Sequence, residues 1–315
     1  LFNPNLATRY LGYKALKGFG MKAHKDIAAV FQNESNPRLK ARLFWLLAQG
    51  SDGLSYIDKA LNDPSEEWRM MAIRAMKTRP FDTWKALAHR VVKDANFQVK
   101  RELAIALHHV KSAEADAIWT ALAMQHNGAD RWYLEALGIG ADMQWDSRLS
   151  AYLAIKPADS PAFRDIIFRS RSEFANPFIF QFLKENKPLS EKLRYFRALD
   201  FLPGEQKSVL LIDLINKELK NDPASTLVAI RHLSPAFIQK NELARKSIIK
   251  LLPKDNIDEY TKLIEKYNLS ELKPDLLKVI LSNKGGRQAA KALYALPHGS
   301  EFMKASFEKG NNAVK

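Results

Sequence analysis

Residues 36–48 (NPRLKARLFWLLA) and residues 63–75 (DPSEEWRMMAIRA) follow one common frame, and this frame decides the fold. Each stretch opens with Asn or Asp followed by proline, carries arginine five positions after the proline, and carries alanine eleven positions after it. The frame also fits two stretches that start at Asn3-Pro4 and, without the proline, at Asp94-Ala95. The starts recur about every 30 residues, a period typical of helical-repeat proteins. The sequence therefore predicts a repeated structural unit.

Two columns of this frame recur in all four copies. The cation column consists of Arg9, Arg42, Arg69 and Lys100, and the alanine column consists of Ala15, Ala48, Ala75 and Ala106. Asn or Asp ahead of proline is a typical helix start, because the side chain accepts a hydrogen bond from a free backbone N–H and proline has none to leave unpaired. A small residue is favoured where two helices approach most closely. We expect each copy to begin a helix that packs through its alanine.

Apolar residues repeat at helical spacing along the chain. In the third copy this face consists of Trp68, Met71, Ala72, Ala75 and Met76, at positions i, i+3, i+4, i+7 and i+8. The sequence lacks alternating strand patterns, and its Asn127-Gly128 pair lies between helical segments. We therefore predict an all-α fold in which antiparallel helix pairs stack side by side as a right-handed α-solenoid.

The repeat register changes along the chain. It is clear over residues 1–155 and degenerate over residues 156–308, where helix starts such as Ser160-Pro161 persist but the two columns do not. Residues 309–315 (KGNNAVK) have the composition of a frayed tail or a linker. We predict two subdomains of repeats and a tail with these bounds. Because the chain starts at Leu1, we also expect a mature product or an excised segment.

Composition narrows the class of protein. The 315 residues are 46% hydrophobic and 27% charged, which suits a folded chain and excludes a disordered one. The absence of cysteine excludes disulfide scaffolds, thiol catalysis, Cys-zinc sites and c-type haem attachment. The formal net charge of +14 raises nucleic acid, acidic polymers and anionic membranes as partner classes. No apolar stretch approaches the ~20 residues that a spanning helix needs, so we expect no membrane span.

The sequence contains only weak matches to motifs of cofactor binding or metal binding. Residues 18–23 (GFGMKA) match the G-x-G-x-x-A dinucleotide spelling, but a predicted helix precedes them where that motif needs a strand, so we interpret the glycines as a helix end. The seven histidines are scattered. Adjacent His108 and His109 point about 100° apart on a helix, which does not suit one metal ion. We predict no catalytic, cofactor-binding or metal-ligating residue and no cofactor.

Two strings rich in aromatic and basic residues form the candidate interaction patch. Its members are Arg131, Trp132, Tyr133, Arg169 and Arg171. These side chains could form a recognition surface on a concave face, or the aromatic residues could fill the core while the arginines pair with carboxylates. The second interpretation is favoured because large aromatic side chains are usually buried for packing.

The four-copy frame resembles short bacterial HEAT repeats, in which an Asp/Asn-Pro start leads to an arginine and then to an alanine-rich helix. Three strings narrow the resemblance: DRWYLEALGIGAD at 130–142, RDIIFRSRS at 164–172 and RYFRALDFLPGEQK at 194–207. They look like HEAT segments of large secreted bacterial proteins that are similar to sorbosone- or glucose-dehydrogenase β-propellers and also carry a c-type cytochrome domain. Together with the repeats, the resemblance spans most of residues 1–300.

The resemblance implies a HEAT/armadillo-like fold, a periplasmic or extracellular location, and a place between a propeller and a haem domain. It implies partners in neighbouring domains of the same polypeptide or in another protein. The catalytic and haem-ligating residues of that family lie in the flanking domains, and none of them maps onto this chain. Residues 306–310 (SFEKG) resemble the approach to the cytochrome domain.

Two functions of different classes follow. The first is a non-catalytic scaffold, a spacer within a larger dehydrogenase-like redox protein that positions domains or docks a partner. The alternative is a basic HEAT-type nucleic-acid-binding protein, similar to DNA glycosylases that act on alkylated bases. It rests on the basic excess near the chain start, at Arg9, Lys14, Lys17, Lys22 and Lys25. Solvated lysines on outer helix faces account for the same charge, so nucleic acid is the less favoured partner.

Overall fold

The computed structural model describes residues 1–202, 206–282 and 285–313, with side chains described as far as Glu308. Over these ranges the chain forms 21 α-helices and four short 3-10 turns, and it contains no β-strand. The predicted all-α class is therefore confirmed.

The chain divides into two compact units, and the first, Leu1–Phe174, holds eleven helices. They are α1 (Leu6–Phe19), α2 (Met21–Asn33), α3 (Pro37–Leu47), α4 (Gly53–Leu61), α5 (Glu66–Met76), α6 (Lys85–Val91), α7 (Phe97–Ala106), α8 (Ala113–Ala123), α9 (Arg131–Gly140), α10 (Trp145–Ala154) and α11 (Pro161–Arg169). The four copies of the frame start α1, α3, α5 and α7, which is every second helix.

The second unit, Ala175–Lys315, holds the other ten helices. They are α12 (Asn176–Lys184), α13 (Leu189–Ala198), α14 (Gln206–Lys217), α15 (Pro223–Arg231), α16 (Pro235–Lys240), α17 (Glu242–Leu251), α18 (Ile257–Tyr267), α19 (Lys273–Leu281), α20 (Gly286–Ala295) and α21 (Gly299–Ala313). The 3-10 turns lie at Phe81–Thr83, Glu173–Ala175, Leu199–Phe201 and Ser270–Leu272.

Two segments named in the sequence analysis extend beyond the residues that the structure describes. Of the predicted tail, the backbone of residues 309–313 belongs to α21, and residues 314–315 lie outside the described ranges. Residues 203–205 of the third family-like string also lie outside them. The predicted boundary at residues 155/156 concerns repeat register, which compactness does not test, so it stays a prediction.

The Asn-Pro start behaves as expected in the second copy. The Asn36 side chain is the N-cap of α3 and accepts from the backbone N–H groups of Arg38 (3.0 Å) and Leu39 (3.3 Å). Pro37 is the first helical residue. Its missing N–H therefore leaves no helix-terminal donor unpaired.

In the third and fourth copies the helix begins later than the sequence predicts. Asp63 accepts from the N–H of Ser65 (2.9 Å), and Ser65 is the N-cap of α5. Asp94 likewise accepts from the N–H of Asn96 (2.8 Å), and Asn96 caps α7. The opening carboxylate forms a turn with the backbone two residues on, and a second polar side chain then caps the helix.

Helices of the first unit pack in a regular order. Helix α2 packs on α3, α4 on α5, α6 on α7 and α8 on α9. A second set of contacts joins helices two apart in the chain: α5 with α7, α7 with α9, α9 with α11, α6 with α8 and α8 with α10. These contacts are local in sequence and place each helix against its nearest neighbours.

Helices of the second unit show the same two kinds of contact. Neighbours α12 and α13, α14 and α15, α16 and α17, and α19 and α20 pack together. Helices two apart also meet: α12 with α14, α13 with α15, α15 with α17, α16 with α18 and α18 with α20. The helical order therefore continues where the sequence columns are lost.

Large aromatic side chains fill the core of the first unit with their polar atoms paired. Trp119 is fully buried, and its indole N–H donates to the carbonyl of Leu137 (2.9 Å). Trp84 is 1% exposed and donates to the carbonyl of Arg79 (3.1 Å). Buried N–H groups without such acceptors would cost about 1–3 kcal/mol each.

Candidate functional site

In two copies the residue of the cation column binds backbone carbonyl groups that lie just before its own helix. Arg69 of α5 donates from Nη1 to the two carbonyl oxygens of Asp63-Pro64, at 2.9 and 3.0 Å. Arg9 of α1 makes the equivalent bonds to the carbonyls of Asn3-Pro4, at 3.2 and 3.0 Å. In both copies one guanidinium satisfies two carbonyls that precede the helix. The recurring cation therefore has a structural role in these copies.

The same column connects one copy to the next. Arg69 donates from Nε to Oδ2 of Asp94 (2.8 Å) and from Nη2 to Oδ1 (3.3 Å), and both side chains are largely buried. In the fourth copy the residue after the column position, Arg101, donates from Nη2 to Oδ2 of Asp130 (2.5 Å), the N-cap of α9. Burial opposes the charge of Asp130, but the bonds from Arg101 and from backbone N–H groups hold its pKa below the ordinary value. We call these two pairs the copy-to-copy bridges.

The two other members of the cation column have different contacts. Arg42 donates from Nη1 to the carbonyl of Leu1 (2.9 Å), which lies far away in sequence. Lys100 is buried, and its ammonium lies 4.6 Å from the centroid of the Phe97 ring. In the fourth copy the bridging role therefore belongs to the residue after Lys100.

The alanine column is buried in three copies and exposed in one. Ala48 and Ala75 are each 1% exposed, and Ala106 is 4% exposed. Ala15, which occupies the same frame position in α1, is exposed. Ala48 is the C-cap that follows α3, and Ala75 and Ala106 lie within α5 and α7. The close helix approach expected at this column stays a prediction.

The aromatic half of the predicted patch is divided between core and surface. Tyr133 is fully buried, and its hydroxyl donates to the carbonyl of Leu122 (2.9 Å). Burial, with the nearby charge of Asp130, raises the pKa of the Tyr133 phenol. Trp132 is 71% exposed and Arg131 is exposed, because successive residues of a helix point to different faces.

The arginine half of the patch lies beside α9. Arg169 donates from Nε to Oε2 of Glu135 (3.0 Å), and its guanidinium fills the space where Gly138 has no side chain. Arg171 donates from Nη1 to the carbonyls of Arg169 (3.2 Å) and Ser170 (2.9 Å). Burial, together with the charge of Arg169, lowers the pKa of the Arg171 guanidinium. Arg169 thus pairs with a neighbouring carboxylate, whereas these bonds of Arg171 go to backbone carbonyl groups.

Arg171 also lines an open depression of about 550 Å³. The other lining residues are Lys111, Asp142, Met143, Gln144, Trp145, Asp146 and Ser147. Two cations and two carboxylates share this rim, so neither sign of charge dominates it.

An aromatic groove that the sequence did not single out lies among α2, α3, α4 and α5. Its volume is about 340 Å³. We define the aromatic groove by Phe31, Lys40, Phe44, Tyr56, Lys59 and Trp68. Phe44 is buried, whereas the Phe31, Tyr56 and Trp68 rings are each half-buried and form the accessible walls.

The rings of the groove contact one another edge to face. The centroid of Phe31 lies 6.0 Å from that of Tyr56 and 6.3 Å from that of Trp68. The ammonium of Lys40 lies 5.2 Å from the Phe31 centroid, and that of Lys59 lies 5.9 Å from the Tyr56 centroid. Asp63 also lines the groove, so two ammonium groups and one carboxylate surround the packed rings.

Five of the seven histidines each form a pair with one carboxylate. The pairs are His24 with Asp52, His89 with Glu114, His108 with Asp142, His126 with Asp165 and His232 with Asp200. In the described ranges no three His, Cys, Asp or Glu residues are placed to hold one metal ion. His108 and His109 lie in the turn after α7, where the positive φ of His109 breaks the helical geometry, and the centroids of their stacked rings are 3.6 Å apart. The expectation that they point about 100° apart on a helix is therefore wrong.

Sequence reasoning missed the carboxylate ends of the bridges and the aromatic groove. Asp130 could have been found, because an Asp that opens a copy follows an arginine by about 30 residues, which is one repeat period. The groove gives no comparable signal, because Phe31, Tyr56 and Trp68 come from three helices and share no frame position.

Comparison with known proteins adds no relative. No protein-family model matches the chain, no curated protein matches it, and no solved structure matches it. Within the described ranges, no helix has both the length and the apolarity needed to cross a bilayer.

Proposed function

We propose that the chain is a non-catalytic scaffold built as a right-handed, HEAT/armadillo-like α-solenoid. In this proposal it serves as a spacer within a larger, exported, multidomain redox protein and presents its surface to neighbouring domains or to a partner. The proposal combines the repeat frame, the contacts of the helices and the resemblance carried by residues 130–142, 164–172 and 194–207.

The observation that carries the proposal is the pair of copy-to-copy bridges. Arg69 binds its own helix start and the Asp94 carboxylate of the following copy at once. Arg101 and Asp130 repeat this link one period later. In stacked-repeat proteins each unit is stabilised through its interface with the next, and these bonds supply such a nearest-neighbour term.

The contacts of the candidate patch support a scaffold better than a reaction site. Tyr133, Arg169 and Arg171 bond to carbonyls or to a neighbouring carboxylate, and these bonds hold neighbouring segments of the chain together. The aromatic groove adds a place where a partner segment could dock.

A cofactor measurement tests the scaffold proposal. We expect the purified chain to show only aromatic absorbance and to contain far less than one metal ion per chain by elemental analysis. Haem, pyrroloquinoline quinone or a metal present at one per chain would overturn the proposal, because a non-catalytic spacer is not expected to bind a redox group stoichiometrically.

A titration with duplex DNA tests the alternative. Much of the positive charge serves structure: Arg79, for example, donates to the carbonyls of Ala48 (2.7 Å) and Gly50 (2.6 Å). We therefore expect no saturable binding of labelled duplex in fluorescence anisotropy at ~50 mM salt. Saturable binding that falls steeply with salt would favour the nucleic-acid function over the scaffold.

A further inference from the structure

The aromatic groove carries polar side chains around its ring walls. Phe31, Tyr56 and Trp68 form the accessible walls, and each of these rings is half-buried. The polar lining consists of two ammonium groups, one carboxamide and one carboxylate, which belong to Lys40, Lys59, Gln32 and Asp63. Aromatic walls with a few polar groups that fix orientation are typical of small-molecule sites. We call the four polar side chains the rim of the groove.

The polar groups of the rim have few partners in the fold. Among the residues that the structure describes, Lys40 and Lys59 form no ion pair, and the Gln32 side chain forms no hydrogen bond. Asp63 accepts at Oδ1 from the backbone N–H of Ser65 (2.9 Å), and within the same ranges its Oδ2 has no donor. The rim therefore offers both donors and an acceptor to a ligand.

The charges of the rim disfavour three simple kinds of ligand. The ammonium groups of Lys40 and Lys59 lie over the Phe31 and Tyr56 rings, so a cationic ligand would meet like charges there. A ligand that carries only acceptors would meet the like charge of Asp63. An apolar segment would cover the rim without giving its polar groups hydrogen bonds, which is unfavourable. The groove needs a ligand that donates, accepts and also has an apolar face.

A pyranose sugar has this mixed chemistry. Its hydroxyl groups both donate and accept hydrogen bonds, so they suit ammonium, carboxamide and carboxylate groups alike. The C–H groups on the face of a sugar ring carry small positive partial charges, which the negative face of an aromatic ring attracts. The volume of about 340 Å³ lies at the small end of ligand pockets, ~300–1,000 Å³, which suits a single sugar ring.

Trp68 is the wall that leaves most room for a sugar ring. Ammonium groups lie over the Phe31 and Tyr56 rings, and no ammonium group of the described chain lies over Trp68. The buried Phe44 ring contacts the Trp68 ring at a right angle, with the centroids 5.7 Å apart. This contact orders the indole before a ligand arrives, so binding loses less conformational freedom.

We propose that the aromatic groove binds a pyranose sugar. One face of the sugar ring packs on Trp68, and its hydroxyl groups bond to Lys40, Lys59 and Asp63. The inference goes beyond the scaffold function, because it depends on the groove among α2, α3, α4 and α5 and not on the role of the whole chain. Loss of the scaffold proposal would leave it standing.

Saturation-transfer difference NMR on the full chain tests the proposal with four sugars. The probes are methyl β-glucopyranoside, methyl α-mannopyranoside, methyl β-galactopyranoside and N-acetylglucosamine. We expect saturation transfer to the ring protons of at least one of them. The expected dissociation constant is about 1 mM, the order reached by a ligand of about a dozen non-hydrogen atoms.

Two variants locate the binding in the groove. Trp68→Ala should weaken it at least about tenfold, because the sugar loses its stacking wall. The matched control is Tyr294→Ala, which removes a ring that is 69% exposed in the second unit and should leave the affinity unchanged. Circular dichroism shows whether Trp68→Ala is folded.

The second variant, Lys59→Ala/Asp63→Asn, keeps all three ring walls and so tests the rim separately. Asparagine at position 63 retains the oxygen that accepts from Ser65. We expect the sugar affinity to fall about fivefold or more, because one donor and one charged acceptor are lost. The same pair of changes at an exposed ion pair of α19, Lys278→Ala/Asp275→Asn, should have no effect on binding.

Three outcomes overturn the proposal. The first is the absence of saturation transfer to all four sugars at about 10 mM, well above the expected dissociation constant. The second is transfer that keeps its strength in folded Trp68→Ala and in Lys59→Ala/Asp63→Asn, which places the binding elsewhere. The third is binding of tetramethylammonium or of a phenylalanine-containing peptide, lost in Trp68→Ala, when no sugar binds. That result assigns the groove to a cation or to an apolar peptide segment.

Discussion

Arg69 shows how one residue can serve two levels of the structure. Its guanidinium satisfies the Asp63-Pro64 carbonyls, which precede its own helix, and also meets the Asp94 carboxylate of the next copy with two bonds. A lysine could not reproduce this, because an ammonium lacks the planar fork that meets a carboxylate at both oxygens. This geometry explains the arginine at position 69, whereas Arg9 and Arg42 bind backbone carbonyl groups without a bridging carboxylate.

Replacing Arg69 by alanine should destabilise the first unit by about 2–4 kcal/mol, because it removes four hydrogen bonds and leaves the Asp94 carboxylate without its partner in a largely buried place. Urea unfolding followed by circular dichroism measures the loss. Arg69→Lys should recover only part of it.

Arg74→Ala is the matched control for this prediction. Arg74 bonds to Glu102 in the same helix–helix contact, but its side chain is 54% exposed. Its partner Glu102 is only 12% exposed, but Arg74 makes one hydrogen bond where Arg69 makes four, so its loss should cost less than the loss of Arg69. Equal effects of Arg69→Ala and Arg74→Ala would show that the bridge does not stabilise the stack.

Two glycines of α9 give a second prediction at the residue scale. Gly→Ala within a helix ordinarily stabilises by about 0.5–1 kcal/mol. At Gly138 an added Cβ would overlap the Arg169 guanidinium, which can move away at the expense of its bond to Glu135. Gly138→Ala should therefore be neutral or destabilising in the natural chain and stabilising in an Arg169→Ala background. Thermal unfolding of the four variants measures the change of sign.

Gly140→Ala separates this effect from general crowding of α9. The added Cβ would overlap the carbonyl oxygen of Ala104, which is backbone and cannot turn aside. We expect a loss of about 1–3 kcal/mol, as for other overpacked sites, with or without Arg169. Stabilisation by Gly140→Ala in either background would contradict this close helix approach.

At the scale of the helices, the sequence predicts where periodic helices occur better than where they begin. The start at Asn36 follows the rule for an N-cap ahead of proline. At Asp63 the same motif, Asn or Asp followed by proline, first forms a turn, and Ser65 caps the helix instead. Both arrangements give hydrogen-bond acceptors to free N–H groups at the helix start. The local sequence therefore does not distinguish them.

The arrangement of the candidate site could be predicted only where it depends on a single helix. The helical spacing of residues 130–140 does not tell which side of α9 faces the core, so Tyr133 and Trp132 were grouped although one is buried and the other exposed. The partners of the cation column depend on packing between copies, and the aromatic groove depends on four helices at once. Tertiary contacts of this kind have no local sequence signal.

Helix α1 should be the least protected helix among the four that the frame starts. It buries no residue, whereas α5 buries four and α7 buries five. Local opening needs less free energy where fewer apolar contacts are lost, so α1 amides should exchange at least about tenfold faster than those of α5. Hydrogen exchange of the full chain, followed by mass spectrometry, measures the exchange rates of the two helices. Equal protection of α1 and α5 would mean that another surface covers α1 in solution.

Across the whole chain, ion pairs between helices divide the charged residues into a structural set and a solvated set. Glu259 of α18 accepts from Arg231 of α15 (2.7 Å), and Glu271 accepts from Arg245 of α17 (2.6 Å). These bonds hold the pKa values of both carboxylates below their ordinary range. Each such pair takes one cation and one carboxylate out of the solvated set, so pairing leaves the net charge of +14 unchanged.

These depressed pKa values set the direction in which pH changes stability. A carboxylate whose pKa is lower in the folded chain stabilises it above the unfolded value, about 4.3 for Glu, and this contribution is lost as pH falls through the folded value. The Glu271→Gln variant cannot titrate there. We expect it to be less stable than the natural chain at pH 7 and to lose less further stability between pH 6 and pH 3. Urea unfolding at several pH values measures both slopes, with Glu173→Gln, at an exposed position, as the matched control. Parallel slopes for the natural chain and Glu271→Gln would show that the Arg245 pair does not contribute to acid sensitivity.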